Sequence, residues 1–212
     1  MLGQGVLREC LLDARVTRVL SVGRSPSGES HEKLEDLVLS DLFDYAAALP
    51  KLTGYDACFF CLGVTSAGMS EAAYTRITYE LTLAAANTLL RLNPGLVFAF
   101  ISGAGADSSE QGRSMWARVK GRTENALLAL PFGAVTVFRP GLIRLLHGIS
   151  SRTRSYRLLY AVLAPVLPLL GAVAPGSVTT TERVGRAMIR AALDGAPKRV
   201  LETADINRLA AG

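Results

Sequence analysis

The sequence is poor in the residues that build metal centres, disulfide frameworks and membrane spans. Its 212 residues include two histidines and three cysteines. His31 and His147 stand far apart, and no carboxylate cluster has the spacing of a ligand set, so a metal site is not expected. Cys10, Cys58 and Cys61 are too few, and odd in number, for a secreted disulfide framework. Cys58 and Cys61 do form a C-x-x-C, but inside the apolar run Ala57-Cys58-Phe59-Phe60-Cys61-Leu62, which reads as a buried strand. A redox pair would sit at a helix N-terminus that stabilises its thiolate, so these cysteines are expected to be structural. Met1 is not followed by a basic and then an apolar stretch, and the expected location is cytoplasmic. Charge is also sparse. Only 19% of residues are charged and 50% are hydrophobic, which excludes a disordered chain and predicts a packed body. The net charge of +5 comes mainly from dispersed arginines that do not alternate with aromatics. No specific nucleic-acid partner is expected, and a small anionic ligand accounts for the basic balance.

What is present is an alternation of strand-like and helix-like segments over a length that suits one α/β core. Residues 5–12 read as a helix, 18–22 as a strand ending at Gly23, 37–39 as a second strand and 57–62 as a third ending at Gly63. Ser70 can cap a helix that runs to Leu92, before Asn93-Pro94-Gly95 stops it. Residues 96–101 form another apolar strand, 116–130 a helix and 134–138 a further strand. Thr179-Thr180-Thr181-Glu182 reads as the capped start of a late helix, and Val200-Leu201-Glu202 as a late strand. Continuous rather than alternating apolar strands, each followed by a helix, indicate a parallel sheet covered on both faces. Ligands in such sheets bind beyond the carboxyl ends of the strands. The residues to inspect are therefore Gly23-Arg24, Asp41, Gly63-Val64-Thr65, Ser102-Gly103-Ala104 and Arg139-Pro140-Gly141.

Those strand ends carry a resemblance. Val22-Gly23-Arg24-Ser25-Pro26, Cys61-Leu62-Gly63, Ser102-Gly103-Ala104-Gly105-Ala106-Asp107-Ser108-Ser109, Trp116-Ala117-Arg118-Val119-Lys120-Gly121 and Phe138-Arg139-Pro140-Gly141 follow in order along nearly the whole chain. Together they resemble the atypical short-chain dehydrogenase/reductases, in particular the branch with Tat-interacting-protein-like and nucleoside-diphosphate-sugar-epimerase-like proteins. The resemblance implies a Rossmann-like doubly wound parallel sheet with helices on both faces. It implies an NAD(P)-binding region over residues 1–140 and a substrate or lid region of the same domain over 141–212. Such proteins open with a strand and a G-x-x-G-x-x-G turn that brings the backbone and a helix N-terminus to the pyrophosphate. Here Met1-Leu2-Gly3 resembles the last x-x-G of that turn, followed by Gln4 and a helix, and the first strand and first two glycines are absent. Consistency downstream favours a misassigned start or a fragment boundary over a degenerate relative that binds cofactor poorly.

The resemblance also assigns roles. Arg24, after the second strand of the family fold, stands where a carboxylate would bind the ribose of NAD, and an arginine there pairs with the 2′-phosphate of NADP. NADP is therefore expected over NAD. Asp41 resembles the residue that meets the adenine, and Cys61-Leu62-Gly63 would run beneath the adenine ribose, Gly63 allowing close approach. Gly3, Gln4, Lys120, Arg139, Pro140 and Gly141 complete the cofactor set. The family's chemistry uses a serine, a tyrosine and a lysine, and Ser102 and Lys120 match that pattern. Trp116 stands in the tyrosine position. An indole N–H donates a hydrogen bond but cannot relay a proton near neutrality. Tyr74, Tyr79 and His147 are alternative donors by position.

Beyond Gly141, four arginines precede an apolar stretch over residues 158–174 that is interrupted by Pro165, Pro168 and Gly171. It is too short and broken to span a membrane, and reads as a core helix or pocket lid, with peripheral membrane contact as the alternative. Three functions follow: an NADP-dependent oxidoreductase or epimerase-like enzyme on a small-molecule substrate, a non-catalytic NADP-binding regulatory or scaffold protein, or a membrane-surface-associated protein.

Overall fold

The computed structural model describes residues 2–148 and 176–212. At its centre lies the most apolar run of the sequence, Val97-Phe98-Ala99-Phe100-Ile101, whose last four residues are buried. Side chains alternate across a strand. Phe98 and Phe100 therefore enter one core cluster, and Ala99 and Ile101 the other.

The described chain runs α1 (Leu2–Leu12), β1 (Val19–Gly23), β2 (Leu34–Val38), a 3-10 segment (Ala46–Leu52) and β3 (Ala57–Phe60). It continues through α2 (Glu71–Thr75), a π-helical segment (Arg76–Glu80), α3 (Leu81–Leu92), β4 (Val97–Ile101), α4 (Met115–Leu128) and β5 (Ala134–Arg139). The remainder is β6 (Leu142–Arg144), β7 (Val178–Thr180), α5 (Thr181–Leu193), β8 (Val200–Glu202) and α6 (Thr203–Ala211). Every pairing among these strands is parallel. The main sheet has the order β3-β4-β5-β8, while β1-β2 and β6-β7 form separate pairs. One face packs against α3 and α4 through Ala85, Ala86 and Leu127, and the other against α1, α5 and α6 through Val6, Met188 and Ile206. The expected architecture, a parallel sheet flanked by helices, is the one observed.

Several element bounds differ from the sequence expectation. The first helix begins at Leu2 rather than Gly5. The second strand starts at Leu34, because β2 is an outer strand with polar residues on one face, and Asp36 there accepts the Ser27 backbone N–H and hydroxyl. The Ser70 cap is present, its hydroxyl accepting from Ala73 N at 3.3 Å, and a π-helical turn links the two α-helical parts that follow. Thr180 caps α5 by accepting from Arg183 N at 3.0 Å.

Two glycines let α1 and α5 pack closely. A Cβ at Gly5 would lie 2.7 Å from Thr181 Cβ, and one at Gly185 would lie 2.7 Å from Glu9 Cγ. A third sets the approach of α4 to the loop after β4, since a Cβ at Gly121 would lie 1.7 Å from the Asp107 carbonyl oxygen. That contact fixes the helix carrying Trp116 and Lys120 against the carboxyl end of β4. The membrane-surface reading of residues 158–174 lies outside the described residues. Among the described residues, no helix is long and apolar enough to cross a membrane.

Candidate functional site

A cavity of about 1260 Å³ opens across the carboxyl ends of β1, β3 and β4 and extends inward between β1 and β3. Gly23 and Arg24 leave β1 at its mouth, and Cys61, Leu62 and Gly63 leave β3. Gly3 and Gln4 bring the start of α1 to the same opening, and Ser102, Trp116, Lys120 and Gly141 line its far wall. Asp41, Arg139 and Pro140 are not among the lining residues. Asp41 folds its carboxylate onto its own turn, accepting from Phe43 N at 2.8 Å. The Pro140 carbonyl accepts from Ala104 N at 3.1 Å, holding the loop after β4.

Arg24 is exposed at the cavity mouth and has no ion pair among the described residues. At Gly63 a Cβ would meet nothing within 4 Å, so protein packing does not require glycine there. Leu62 and Val64 are respectively 40% and 43% exposed, an apolar floor beside that open backbone. Cys61 and Cys58 carry free thiols, and apolar surroundings push both upward, Cys58 to about 12. That shift disfavours the thiolate that redox exchange requires.

The far wall is built from α4 and the end of β4. Trp116, Lys120 and Glu124 are spaced i, i+4 and i+8 and share one helix face. The indole lies over the turn after β4, its ring carbons 3.7 to 3.9 Å from where side chains at Gly103 and Gly105 would begin. Lys120 is buried, donates to the Ile101 carbonyl at 3.2 Å and sits 4.8 Å from the Phe100 ring centroid. Burial pushes its ammonium down to about 8, against an opposing pull from Glu124. An amine with that value exchanges its proton near neutral pH.

Ser102 is held more tightly than its position after a strand implies. Its backbone N–H donates to Phe138 O at 2.7 Å, and its hydroxyl donates to Glu124. Glu124 is fully buried and is gripped by Arg139, whose Nε lies 3.1 and 3.2 Å from its two oxygens. Arg139 also reaches Ser108 Oγ at 2.6 Å and Glu202 at 3.4 Å. The sequence reading missed Glu124. Its signal is an acid four residues beyond Lys120 and eight beyond Trp116, on the same face of α4. Among the alternative donors, Tyr74 is buried and lines the cavity, whereas Tyr79 lies under the Arg122 guanidinium, 4.4 Å from it. His147 pairs with Glu182 at 3.2 Å and does not line the cavity.

The Lys120 environment sets a pH dependence. Because its folded value lies below its ordinary value of 10.5, the folded state binds fewer protons than the unfolded state between pH 8 and 10.5. Unfolding free energy therefore gains a positive slope with pH in that window. The burial cost of the ammonium is fully present below pH 8 and relieved above it. In Lys120→Met that contribution is expected to disappear, so the difference in stability between variant and parent narrows from pH 8 to pH 10 in urea titrations. Parallel curves across that window would contradict the assignment.

A parallel sheet, a crevice over its carboxyl ends and a serine–lysine pair beside it define a Rossmann-type α/β protein. The chain is a relative of the atypical short-chain dehydrogenase/reductases. No protein-family model matches it. It is 31% identical over 150 residues to protein fmp52, mitochondrial, of Emericella nidulans, covering 68% of this chain and 63% of that protein. It is 28% identical over 146 residues to protein HTATIP2 of Rattus norvegicus, covering 66% of this chain and 58% of that protein. The chain thus spans about three fifths of the length of the curated relatives it matches. Among solved structures, the Bordetella bronchiseptica enzyme WbmF in complex with NAD+ superposes with a TM-score of 0.64 at 15% identity, over 98% of this chain and 73% of that one. The Helicobacter pylori ADP-L-glycero-D-manno-heptose-6-epimerase also gives 0.64, at 16% identity, over 97% of this chain and 76% of that one.

Proposed function

We propose that this protein is an NADP-dependent oxidoreductase or epimerase-like enzyme that acts on a small molecule. The observation that carries the proposal is the convergence of Arg24, Gly63, Ser102 and Lys120 on one crevice at the carboxyl ends of parallel strands. The residues fit a dinucleotide. Arg24 offers a free guanidinium for a 2′-phosphate, Leu62 and Val64 offer an apolar surface to a ring, and the start of α1 offers unpaired N–H groups to a pyrophosphate. When bound, the nicotinamide supplies or accepts a hydride. Lys120, with its lowered value, is placed to hold a ribose hydroxyl and exchange a proton, and Ser102 to orient a substrate oxygen. The NAD+ in the WbmF complex supports the cofactor class. The preference for NADP rests on Arg24.

A second reading, a cofactor-binding protein without turnover, is favoured by Trp116, whose indole cannot relay a proton. The location proposed in either case is the cytoplasm, and the mitochondrial name of the fmp52 relative makes cell fractionation the check on that part.

Two substitutions test the cofactor site independently of folding. Arg24→Ala is expected to weaken NADPH about tenfold or more while leaving NADH nearly unchanged, since one charge-assisted pair contributes about 1.5–3 kcal/mol. Equal loss for both nucleotides would reject the phosphate contact. Gly63→Ala is expected to leave the melting temperature unchanged and to weaken both nucleotides, because its Cβ meets only open space in the protein. Retained affinity would move the ribose away from that strand end.

A further inference from the structure

Three of the chain's four lysines have an acid or two carbonyls to hold the ammonium ion. Lys33 donates to the Leu11 and Asp13 carbonyls at 3.3 and 2.9 Å. Lys51 pairs with Glu35 and Lys198 with Asp205, each at 2.6 Å. The fourth, Lys120, is 9% exposed and forms no ion pair among the described residues. Glu124, one turn further along α4, is the one charged side chain among them whose field acts on it. The Glu124 oxygens are already taken by Arg139 and Ser102. Lys120 is thus a buried amine on a cavity wall, without a counterion of its own.

What surrounds the nitrogen suits a species other than ammonium. Nζ donates to a single carbonyl, that of Ile101 at 3.2 Å, and lies 4.8 Å from the centroid of the Phe100 ring. An ammonium carries three N–H donors, and the protein gives it one acceptor. A protonated imine carries one N–H and a positive charge, which one carbonyl and one aromatic face satisfy. The burial that opposes the charged amine also keeps part of it as the free base, the form that attacks a carbonyl carbon. Tyr74, Trp116 and Ile143 line the same cavity, so aromatic and apolar surface is available to the body of a ligand.

We propose that Lys120 is a covalent, reversible capture site for a small aldehyde with an apolar body, held as an imine on Nζ. The free amine adds to the aldehyde carbon, and a proton passes from nitrogen to the former carbonyl oxygen. That oxygen leaves as water when the C=N bond forms, and the imine nitrogen takes up a proton from solvent. The N–H so made is the donor to Ile101 O, and its charge faces the Phe100 ring. Addition of water reverses each step and releases the aldehyde. No electrons are gained or lost, so the capture needs no further reactant. It rests on the cavity wall and not on the proposed nucleotide or reaction.

Reductive trapping tests it, with the other three lysines as internal controls. The 212-residue chain, free of nucleotide, is treated at pH 7 with benzaldehyde and cyanoborohydride, whose hydride fixes each imine as a secondary amine. Peptide mapping by mass spectrometry then gives the rate at each lysine. An amine with a value of about 8 is roughly one tenth free base at that pH, and an ordinary lysine far less. Lys120 is therefore expected to react about tenfold or more faster than Lys33, Lys51 or Lys198, and the advantage should narrow towards pH 10. In urea the four should react alike. Without reductant, benzaldehyde labelled with carbon-13 at its carbonyl should give an imine signal that is lost in folded Lys120→Arg. Equal rates at the four lysines in the folded chain, or the same ranking in urea, would overturn the proposal, and both are read on the parent protein alone. An imine signal unchanged in folded Lys120→Arg would overturn it as well. Nucleotide is absent throughout, so a failure here is separable from a failure of the proposed function.

Discussion

Glu124→Ala is expected to lower the unfolding free energy by about 3 kcal/mol, the lower end of the range for breaking a buried ion pair. The loss is large because the carboxylate is fully buried and serves Ser102 and Arg139 together. Removing it strands a guanidinium whose side chain is only 13% exposed. Arg139 keeps Ser108 and Glu202, which holds the cost at that end of the range. Glu124→Gln should cost less, since it preserves shape and one acceptor. Replacing Glu124 and Arg139 together by methionine should recover much of the single-mutant loss. Urea denaturation of these proteins together with the single variants Glu124→Met and Arg139→Met measures all of this, and strictly additive losses across that cycle would show that the pair is not coupled.

Trp116→Tyr is expected to have the largest effect on activity. If the proposed reaction is correct, the phenol would stand one helical turn from Lys120 and beside the Ser102 turn, with a low-lying amine to assist its ionisation. A positioned proton donor contributes about 10²–10⁴-fold in rate. NADPH oxidation over a carbonyl panel should rise by that order in the variant relative to the parent. Turnover in the parent that falls on substitution would instead assign the proton to another group, with Tyr74 the cavity-lining candidate. Nucleotide binding without turnover in either protein would support the regulatory reading.

The order of these elements was legible because the central strands are apolar on both faces. Residues 96–101 are a short apolar run bounded by Asn93-Pro94-Gly95 and Ser102-Gly103, which favours a strand, and observed β4 matches them within one residue. Ser70 and Thr180 mark helix starts through side-chain chemistry that is local, and both caps form. Where one face is solvated, the signal weakens. Leu34-Glu35-Asp36 does not look like a strand until Asp36 is seen to hold the Ser27 turn. The π-helical turn at Arg76–Glu80 has no local signature, and the 3-10 segment at Ala46–Leu52 contains Pro50.

The site was legible at the strand ends and opaque in its support. Ser102, Lys120 and Gly63 follow from their places after strands and on α4. The role of Glu124 depends on Arg139, fifteen residues away, and on Gly121, whose missing side chain lets α4 approach the Asp107 backbone. Arg139 and Asp41 illustrate the opposite case. Each stands at a strand end, but one is committed to a buried carboxylate and the other to its own turn. A position in the sequence places a side chain near a crevice. Its partners decide where it points.

The crevice at the carboxyl ends of the strands is proposed to hold a nicotinamide dinucleotide, and the protein carries its own reporter. Trp116 is its single tryptophan and lines that crevice. NADPH titrated into the protein should quench indole emission saturably, with matching energy transfer to the reduced nicotinamide, and unlabelled NADP should reverse both. Indole emission that NADPH leaves unchanged in the folded protein, or that falls only in linear proportion to added nucleotide, would contradict the account.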